Sequence, residues 1–218
     1  MMIVEQRLRL VNKEHAMEAY EVPEQLIIPK VMFVQENEKK GDYALVCYID
    51  QGGSMEGEEG KRYLVKEVAQ ALERLFFRAS EEGHCLVAVS GYRSYARQKE
   101  LYERSVQKYG VEYATRYQAK QGHSEHQTGL AIDISSETIQ YVLDEIFCKT
   151  KEYQWLVRNC WKEGFIIRYP KGKEKITGYA FEPWHLRYVG RGAAEIMMRC
   201  NLTLEEFVKR YKNRIDEQ

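Results

Sequence analysis

The chain has 218 residues, enough for one ordinary domain that buries a hydrophobic core without disulfide bonds. Lysine plus arginine and aspartate plus glutamate each number 33, so the formal charge is zero, and no basic stripe favours nucleic acid as a partner. The five cysteines are scattered through mostly apolar segments, a pattern typical of reduced core residues rather than of a disulfide framework. These properties favour a small molecule or a peptide as the substrate.

The beginning of the chain predicts neither export nor membrane insertion. Residues 1–7 are too charged for the apolar part of a signal peptide, and no later stretch approaches the roughly 20 apolar residues that a spanning helix needs. We therefore expect a cytoplasmic protein without a membrane span. Residues 8–29 contain Pro23 and Pro29 and follow no helical period, which predicts an extended lead-in. We interpret residues 1–218 as a single domain whose lead-in reaches to about residue 60.

Two hydrophobic periodicities alternate along the rest of the chain. Apolar residues that recur every three and four positions predict an amphipathic helix over residues 61–79, and Gly83 ends it. Period-two alternation predicts a strand over residues 130–134, in which Asp133 points away from the apolar side. The other predicted elements are, in chain order, a strand over 85–89, a helix that Ser94 caps and that runs toward Tyr109, a helix over 111–120, a helix over 153–162 that Gly164 ends, strands over 165–169 and 184–189, a helix from about Gly192, and a helix that begins with a capping box at 203–206. The mixture predicts an α+β fold in which helices pack on a small antiparallel sheet that carries the site.

Two distant segments supply residues that suit a metal centre. They are Ser124-Glu125-His126-Gln127-Thr128-Gly129-Leu130-Ala131-Ile132-Asp133 and Glu182-Pro183-Trp184-His185. Two imidazoles and one carboxylate, from His126, Asp133 and His185, suit Zn²⁺, and a fourth position left open for water is typical of a catalytic site. Glu182 is three residues before His185, close enough to act on that water. His123 is an alternative ligand or a residue at the mouth of the site.

Several motifs appear in a fixed order along the chain. They are Ser90-Gly91-Tyr92-Arg93-Ser94, Gln98, Ser124-x-His126-x-x-Gly129-x-Ala131-x-Asp133, the run GFIIRYPKGK at 164–173 and the run EPWHLRYVG at 182–190. Through these motifs the chain resembles the VanY-type D-alanyl-D-alanine carboxypeptidases and the related VanX and VanXY D-Ala-D-Ala dipeptidases. The resemblance covers roughly residues 8–190.

The resemblance implies a role for each motif residue. His126, Asp133 and His185 would bind zinc, and Glu182 would be the general base that takes a proton from water and returns it to the leaving amine. Arg93 would offer its positive charge either to the oxyanion of the intermediate or to the free carboxylate of the substrate. Hydrogen bonds to the terminal D-residue are implied for Ser124 and Gln98, although for both residues a local helix cap or a solvent-facing polar side chain is nearly as good an interpretation.

The implied activity is removal of C-terminal D-alanine from a peptidoglycan stem peptide, or cleavage of the free D-Ala-D-Ala dipeptide, in antibiotic resistance or in cell-wall turnover. An L,D-carboxypeptidase on the same scaffold is an alternative. A zinc-stabilised binding module without turnover is another, which Glu182 argues against because a structural site needs no base. We further expect Trp184 to lie in the core, the charged loop 171–175 to be solvated, and the apolar stretch 137–149 to add a helix beside the site.

Overall fold

The computed structural model describes residues 2–36, 43–47 and 60–215. The strands are β1 (Leu26–Ile27), β2 (Met32–Glu36), β3 (Tyr43–Cys47), β4 (Leu64–Val65), β5 (Val87–Ser90), β6 (Ala131–Ser135), β7 (Phe165–Tyr169) and β8 (Glu182–Tyr188). The α-helices are α1 (Met2–Leu8), α2 (Lys66–Glu81), α3 (Tyr95–Tyr109), α4 (Val111–Tyr117), α5 (Lys151–Asn159), α6 (Glu174–Thr177), α7 (Arg191–Cys200) and α8 (Leu204–Ile215). Short 3-10 helices cover Glu125–Thr128, Glu137–Ile139, Glu145–Lys149 and Cys160–Glu163.

A six-stranded sheet forms the centre of the fold, in the order β3-β2-β5-β6-β8-β7. Neighbouring strands are antiparallel except for β2 and β5, which run parallel. Strands β1 and β4 form a separate two-stranded ribbon. The predicted α+β class, with helices flanking a small sheet, is confirmed, and the sheet is antiparallel where it carries the candidate site.

One face of the sheet packs against α2 through the main hydrophobic core. Ile132 and Ile134 of β6 and Leu186 of β8 are fully buried there, together with Leu72 and Leu75 of the helix. Helix α2 begins later than its apolar pattern predicts because residues 64 and 65 pair with β1 as strand β4. The alternation of β6 therefore places its isoleucines in the core and leaves Asp133 for the opposite face.

The opposite face is partly covered by the C-terminal helices. Helix α7 contributes Ala194 and Met197 to a second apolar cluster, and α8 contributes Leu204 and Phe207. The capping box that begins α8 is confirmed, since Glu206 N donates to Thr203 Oγ1 at 3.2 Å and Thr203 N donates to Glu206 Oε2 at 2.8 Å.

The N-terminal segment contributes more regular structure than its sequence predicts. Helix α1 was not expected, and β2 and β3 extend the central sheet. Residues 37–42 and 48–59 of the predicted lead-in lie outside the described part of the chain. The single-domain division over residues 1–218 stays a prediction. Within the described residues, no helix is long and apolar enough to cross a membrane.

Two smaller expectations need correction. The apolar stretch 137–149 forms two 3-10 helices rather than one helix. Val142 and Leu143, which lie between these helices, and Ile146, which lies in the second, are exposed. Cys85, Cys148, Cys160 and Cys200 are free thiols, but Cys85 and Cys200 are exposed rather than in the core. Both lie at the ends of their segments, where period-based reasoning is weakest.

Candidate metal centre and active site

Strand pairing places two of the predicted ligands side by side. Asp133 on β6 is directly opposite His185 on β8, and both side chains are buried. His126 comes from the 3-10 helix Glu125–Thr128, which Gly129 ends in the left-handed conformation at φ 66°. Glycine adopts this conformation without strain, so the chain turns sharply from the helix into β6. The three side chains therefore meet on the polar face of the sheet.

The spacing of these side chains fits a metal ion. The donor atoms of His126, Asp133 and His185 all lie within 4.8 Å of one another. His126 Nε2 is 3.2 Å from Asp133 Oδ2, and His185 Nδ1 is 3.0 Å from Asp133 Oδ1. Bonds of about 2.0–2.1 Å in a tetrahedral zinc site separate neighbouring ligand atoms by roughly 3.3 Å. The donor set and its spacing thus suit Zn²⁺, and the assignment of the three residues as ligands stays a prediction.

A backbone carbonyl orients the His126 imidazole. Its Nδ1 lies 2.7 Å from Gly91 O, which leaves Nε2 facing Asp133. The backbone at Gly91 also passes close to the backbone at Tyr63. Only glycine fits there, because a Cβ at position 91 would lie 2.6 Å from the Tyr63 carbonyl oxygen. The glycine of the 90–94 motif therefore has a steric role behind the metal centre.

The protonation of the cluster depends on burial and on neighbouring charges. Burial lowers the pKa of His126, which favours the neutral, ligating form. Burial also acts to lower the pKa of His185, but its contacts with Asp133 and Glu125 raise it to about 9. Without a cation, His185 is therefore protonated at neutral pH, and a bound cation has to displace that proton.

Glu182 lies at the edge of the cluster. Its Oε2 is 3.9 Å from His185 Nδ1. Burial raises the pKa of Glu182 to about 7, with the attraction of His185 opposing this rise and the charge of Asp133 adding to it. A carboxyl group that titrates near neutral pH can both accept and return a proton. A divalent cation nearby lowers this pKa because it stabilises the carboxylate.

Arg93 is held beside the cluster by hydrogen bonds. Its Nη1 donates to Gln98 Oε1 at 2.8 Å, its Nη2 donates to Ser90 Oγ at 3.2 Å, and Nη2 is 3.7 Å from Asp133 Oδ2. Gln98 is buried and also donates its Nε2 to Ala119 O at 2.7 Å. Both groups of the Gln98 amide thus help to fix the guanidinium, while a contact of Gln98 with substrate stays a prediction.

All the predicted site residues border one cleft of about 200 Å³. It is lined by Arg93, Gln98, Ser124, His126, Asp133, Glu182 and His185, and also by Tyr169, Tyr179 and Leu143. His123 lies outside the cluster, with its Nδ1 2.7 Å from Asn12 O, so the alternative in which it is a metal ligand is not supported.

The expectation that Trp184 lies in the core is confirmed in part. The half-buried side chain packs against the main core, but it also lines the cleft next to His185. Pairing between β7 and β8 shifts from Ile167↔Leu186 to Tyr169↔Glu182, which inserts extra residues into β8. Alternation nevertheless holds along the rest of β8, since Trp184, Leu186 and Tyr188 pack with the main core while His185 belongs to the cleft.

Sequence reasoning missed a buried charge cluster behind the metal centre. The side chain of Glu125 has no exposed surface and contacts two equally buried arginines, Arg168 of β7 and Arg187 of β8. Burial alone acts to raise the pKa of Glu125, but the two guanidinium groups lower it far below its usual range. Arginines at buried strand positions are a signal that a carboxylate partner lies nearby.

The chain matches a known family over the whole of the candidate site. The VanY model, described as D-alanyl-D-alanine carboxypeptidase, matches residues 61–191. The chain belongs to this family. The resemblance predicted from the motifs is therefore confirmed, and the family supports a peptidase as the class of enzyme.

Three similar proteins cover almost all of the chain. The YodJ protein of Bacillus subtilis (strain 168) is 45% identical over 205 residues, which are 94% of this chain and 68% of that protein. The structure of the LdcB LD-carboxypeptidase is 44% identical and covers 94% of this chain and 87% of its own, with a TM-score of 0.79. The vancomycin resistance D,D-pentapeptidase VanY from a VanB-type cassette, solved as a mutant in complex with Zn(II), is 30% identical and covers 94% of this chain and 99% of its own, with a TM-score of 0.67.

Proposed function

We propose that the chain is a zinc-dependent carboxypeptidase that removes C-terminal D-alanine from peptidoglycan stem peptides ending in D-Ala-D-Ala. The observation that carries this proposal is that one cleft contains a three-residue metal cluster, a carboxyl group with a pKa of about 7, and an arginine. Membership in the VanY family supports the reaction, and the Zn(II) complex of a relative supports the choice of metal. Cleavage of the free D-Ala-D-Ala dipeptide would need the same groups.

The side chains divide the work of peptide hydrolysis among them. Zn²⁺ held by His126, Asp133 and His185 would polarise the scissile carbonyl and lower the pKa of water to roughly 7. Glu182 Oε2 accepts the proton of the attacking water and returns it to the departing amine. Burial of Glu182 raises the pKa of its carboxyl group and so makes it a stronger base for the first transfer, while a nearby cation opposes that rise.

Arg93 accounts for the preference for a chain end. A guanidinium group binds a carboxylate through two parallel hydrogen bonds, and Gln98 and Ser90 hold this one beside the metal cluster. The free carboxylate of a terminal D-alanine is close to the scissile bond, so it can reach Arg93 while the carbonyl is at the cluster. Ser124, buried in the same cleft, is the proposed further hydrogen-bonding partner of that residue.

An L,D-carboxypeptidase is the second candidate, and one observation favours it. The LdcB LD-carboxypeptidase is more similar to this chain than the D,D-pentapeptidase VanY is, both in identity and in TM-score. The two activities differ in the configuration of the residue before the scissile bond. A binding module without turnover is disfavoured, because it has no need of a carboxyl group placed as Glu182 is.

Released D-alanine distinguishes these activities. The zinc-loaded protein is incubated with a D-Ala-D-Ala-ended pentapeptide, an L-Lys-D-Ala-ended tetrapeptide and free D-Ala-D-Ala, and the Glu182→Gln protein is the control. We expect the highest kcat/KM for the pentapeptide. Preference for the tetrapeptide would establish the L,D activity in its place, and no release from any of the three would leave only the binding module.

A further inference from the structure

Glu125 uses its two carboxylate oxygens in different ways. Oε1 accepts a hydrogen bond from Arg168 Nε at 2.7 Å and lies 2.8 Å from Arg187 Nη1. Oε2 has no hydrogen-bond partner among the described residues, although it is fully buried. It faces His185 Nε2 at a distance of 3.5 Å. An unpaired carboxylate oxygen in the interior is costly, so this oxygen requires an explanation.

His185 has the matching unpaired atom. Its Nδ1 faces Asp133, and its Nε2 is buried without a hydrogen-bond partner in the described structure. A neutral imidazole that coordinates a metal through Nδ1 must carry its proton on Nε2. That N–H needs an acceptor on the side of the ring away from the metal, which is where Glu125 Oε2 lies.

The second imidazole of the cluster already shows this arrangement. His126 presents Nε2 to Asp133, and its Nδ1 lies 2.7 Å from the Gly91 carbonyl oxygen. Ligating histidines in metalloproteins almost always donate their other N–H to a carboxylate or a backbone carbonyl, which fixes the tautomer and the orientation of the ring. Gly91 O provides that acceptor for His126, and Glu125 Oε2 is the corresponding atom for His185.

We propose that Glu125 is the positioning residue of His185, whose Nε2–H it accepts when Nδ1 binds the metal, with Arg168 and Arg187 fixing the carboxylate. The inference depends on the metal centre of the proposed function and adds a residue to it. Glu125 does not touch substrate in this scheme. It acts through the orientation and the tautomer of one ligand.

A matched control separates this role from a general contribution to folding. Glu205 also pairs with Arg168, through hydrogen bonds of 2.9 and 2.6 Å, but no described contact joins it to His185. Glu205→Gln therefore removes a carboxylate from the same arginine and leaves the imidazole alone. Thermal unfolding of the metal-free proteins verifies that each variant is folded.

Zinc affinity is measured by competition with a chromophoric chelator for the parent, Glu125→Gln and Glu205→Gln proteins. We expect the zinc Kd of Glu125→Gln to rise by about 10–100-fold, the usual effect of losing such a partner, and that of Glu205→Gln to stay within about threefold. Equal zinc affinity of Glu125→Gln and the parent would overturn the inference, and so would equal losses in both variants. A parent protein that binds no zinc would contradict the proposed function itself.

The tautomer of His185 gives a test that needs no variant. In the zinc-loaded parent protein, ¹⁵N NMR of the histidine rings should show Nδ1 of His185 bound to the metal and a protonated Nε2 in slow exchange with water. Coordination through Nε2, or rapid exchange of that proton, would refute the role of Glu125 even if Glu125→Gln fails to fold.

Discussion

Glu182→Gln is expected to abolish turnover while the metal centre stays intact. The substitution keeps the size of the side chain, and Glu182 is not one of the three clustered donors, so zinc content should stay near that of the parent protein. Loss of a general acid–base group slows reactions by roughly 10²–10⁴-fold, or about 3–5 kcal/mol in barrier height. The activity and zinc content of this variant should therefore separate.

The structure also predicts that the same variant stabilises the metal-free protein. The pKa of Glu182 rises from 4.5 to about 7 on folding because the carboxyl group is buried. Because the pKa of Glu182 is higher in the folded than in the unfolded protein, its ionisation lowers the free energy of unfolding. This loss is absent below about pH 4.5 and grows as the pH rises through about 7. The rise in pKa corresponds to about 3 kcal/mol of unfolding free energy, which the parent protein loses when Glu182 ionises. Glutamine cannot ionise, so the variant keeps this free energy.

Two measurements test this reasoning. Thermal unfolding with a chelator present should give a Tm for Glu182→Gln higher by roughly 6–12 °C at pH 8, and nearly equal values at pH 4. D-alanine release and zinc content are measured on the zinc-loaded proteins. Turnover near the parent rate would refute the assignment of Glu182 as the base. Equal Tm values at pH 8 would show that burial does not control its ionisation.

Three further predictions concern the cluster and the cleft. His126→Ala and His185→Ala should each reduce bound zinc from about one ion per chain to nearly none by elemental analysis, and stoichiometric retention in both would show that the ligands are others. Arg93→Lys should lower kcat/KM severely despite the conserved charge, and an amidated C-terminus should block cleavage; equal hydrolysis of amidated and free-acid peptides would indicate an endopeptidase. The pKa of His185 is about 9, and zinc must displace its proton. Zinc affinity, measured by competition titration, should therefore rise about tenfold per pH unit up to about pH 9. A zinc affinity that does not depend on pH would contradict the raised pKa.

The sequence predicts that His126, Asp133 and His185 come together, because strand alternation decides where Asp133 points. Buried isoleucines on both sides of it, Ile132 and Ile134, determine which face of β6 enters the core. The same rule places Trp184 on the core side of β8, but it does not show that this residue also borders the cleft. Glu125 escapes prediction for a different reason, because its arginine partners lie 43 and 62 positions away in the chain, as the numbering of Arg168 and Arg187 shows.

The buried charges behind the metal centre are better explained by function than by stability. Arg168 and Arg187 balance Glu125 and Glu205, so the group is neutral overall, but its side chains give up most of their hydration. Replacing such a buried network by well-packed apolar residues is often neutral, or stabilising by about 1–4 kcal/mol. Stability therefore gives little reason for the network to be there.

A metal centre gives a reason. Asp133 and His185 are placed by the pairing of β6 with β8, but strand pairing fixes only the backbone and leaves the imidazole free to rotate about its side-chain bonds. In the proposed scheme, a carboxylate that two arginines hold on the far side of the ring would restrict that rotation and favour the tautomer that binds the metal through Nδ1. On this proposal, the network would exchange stability for the orientation of one ligand, which strand pairing alone does not fix.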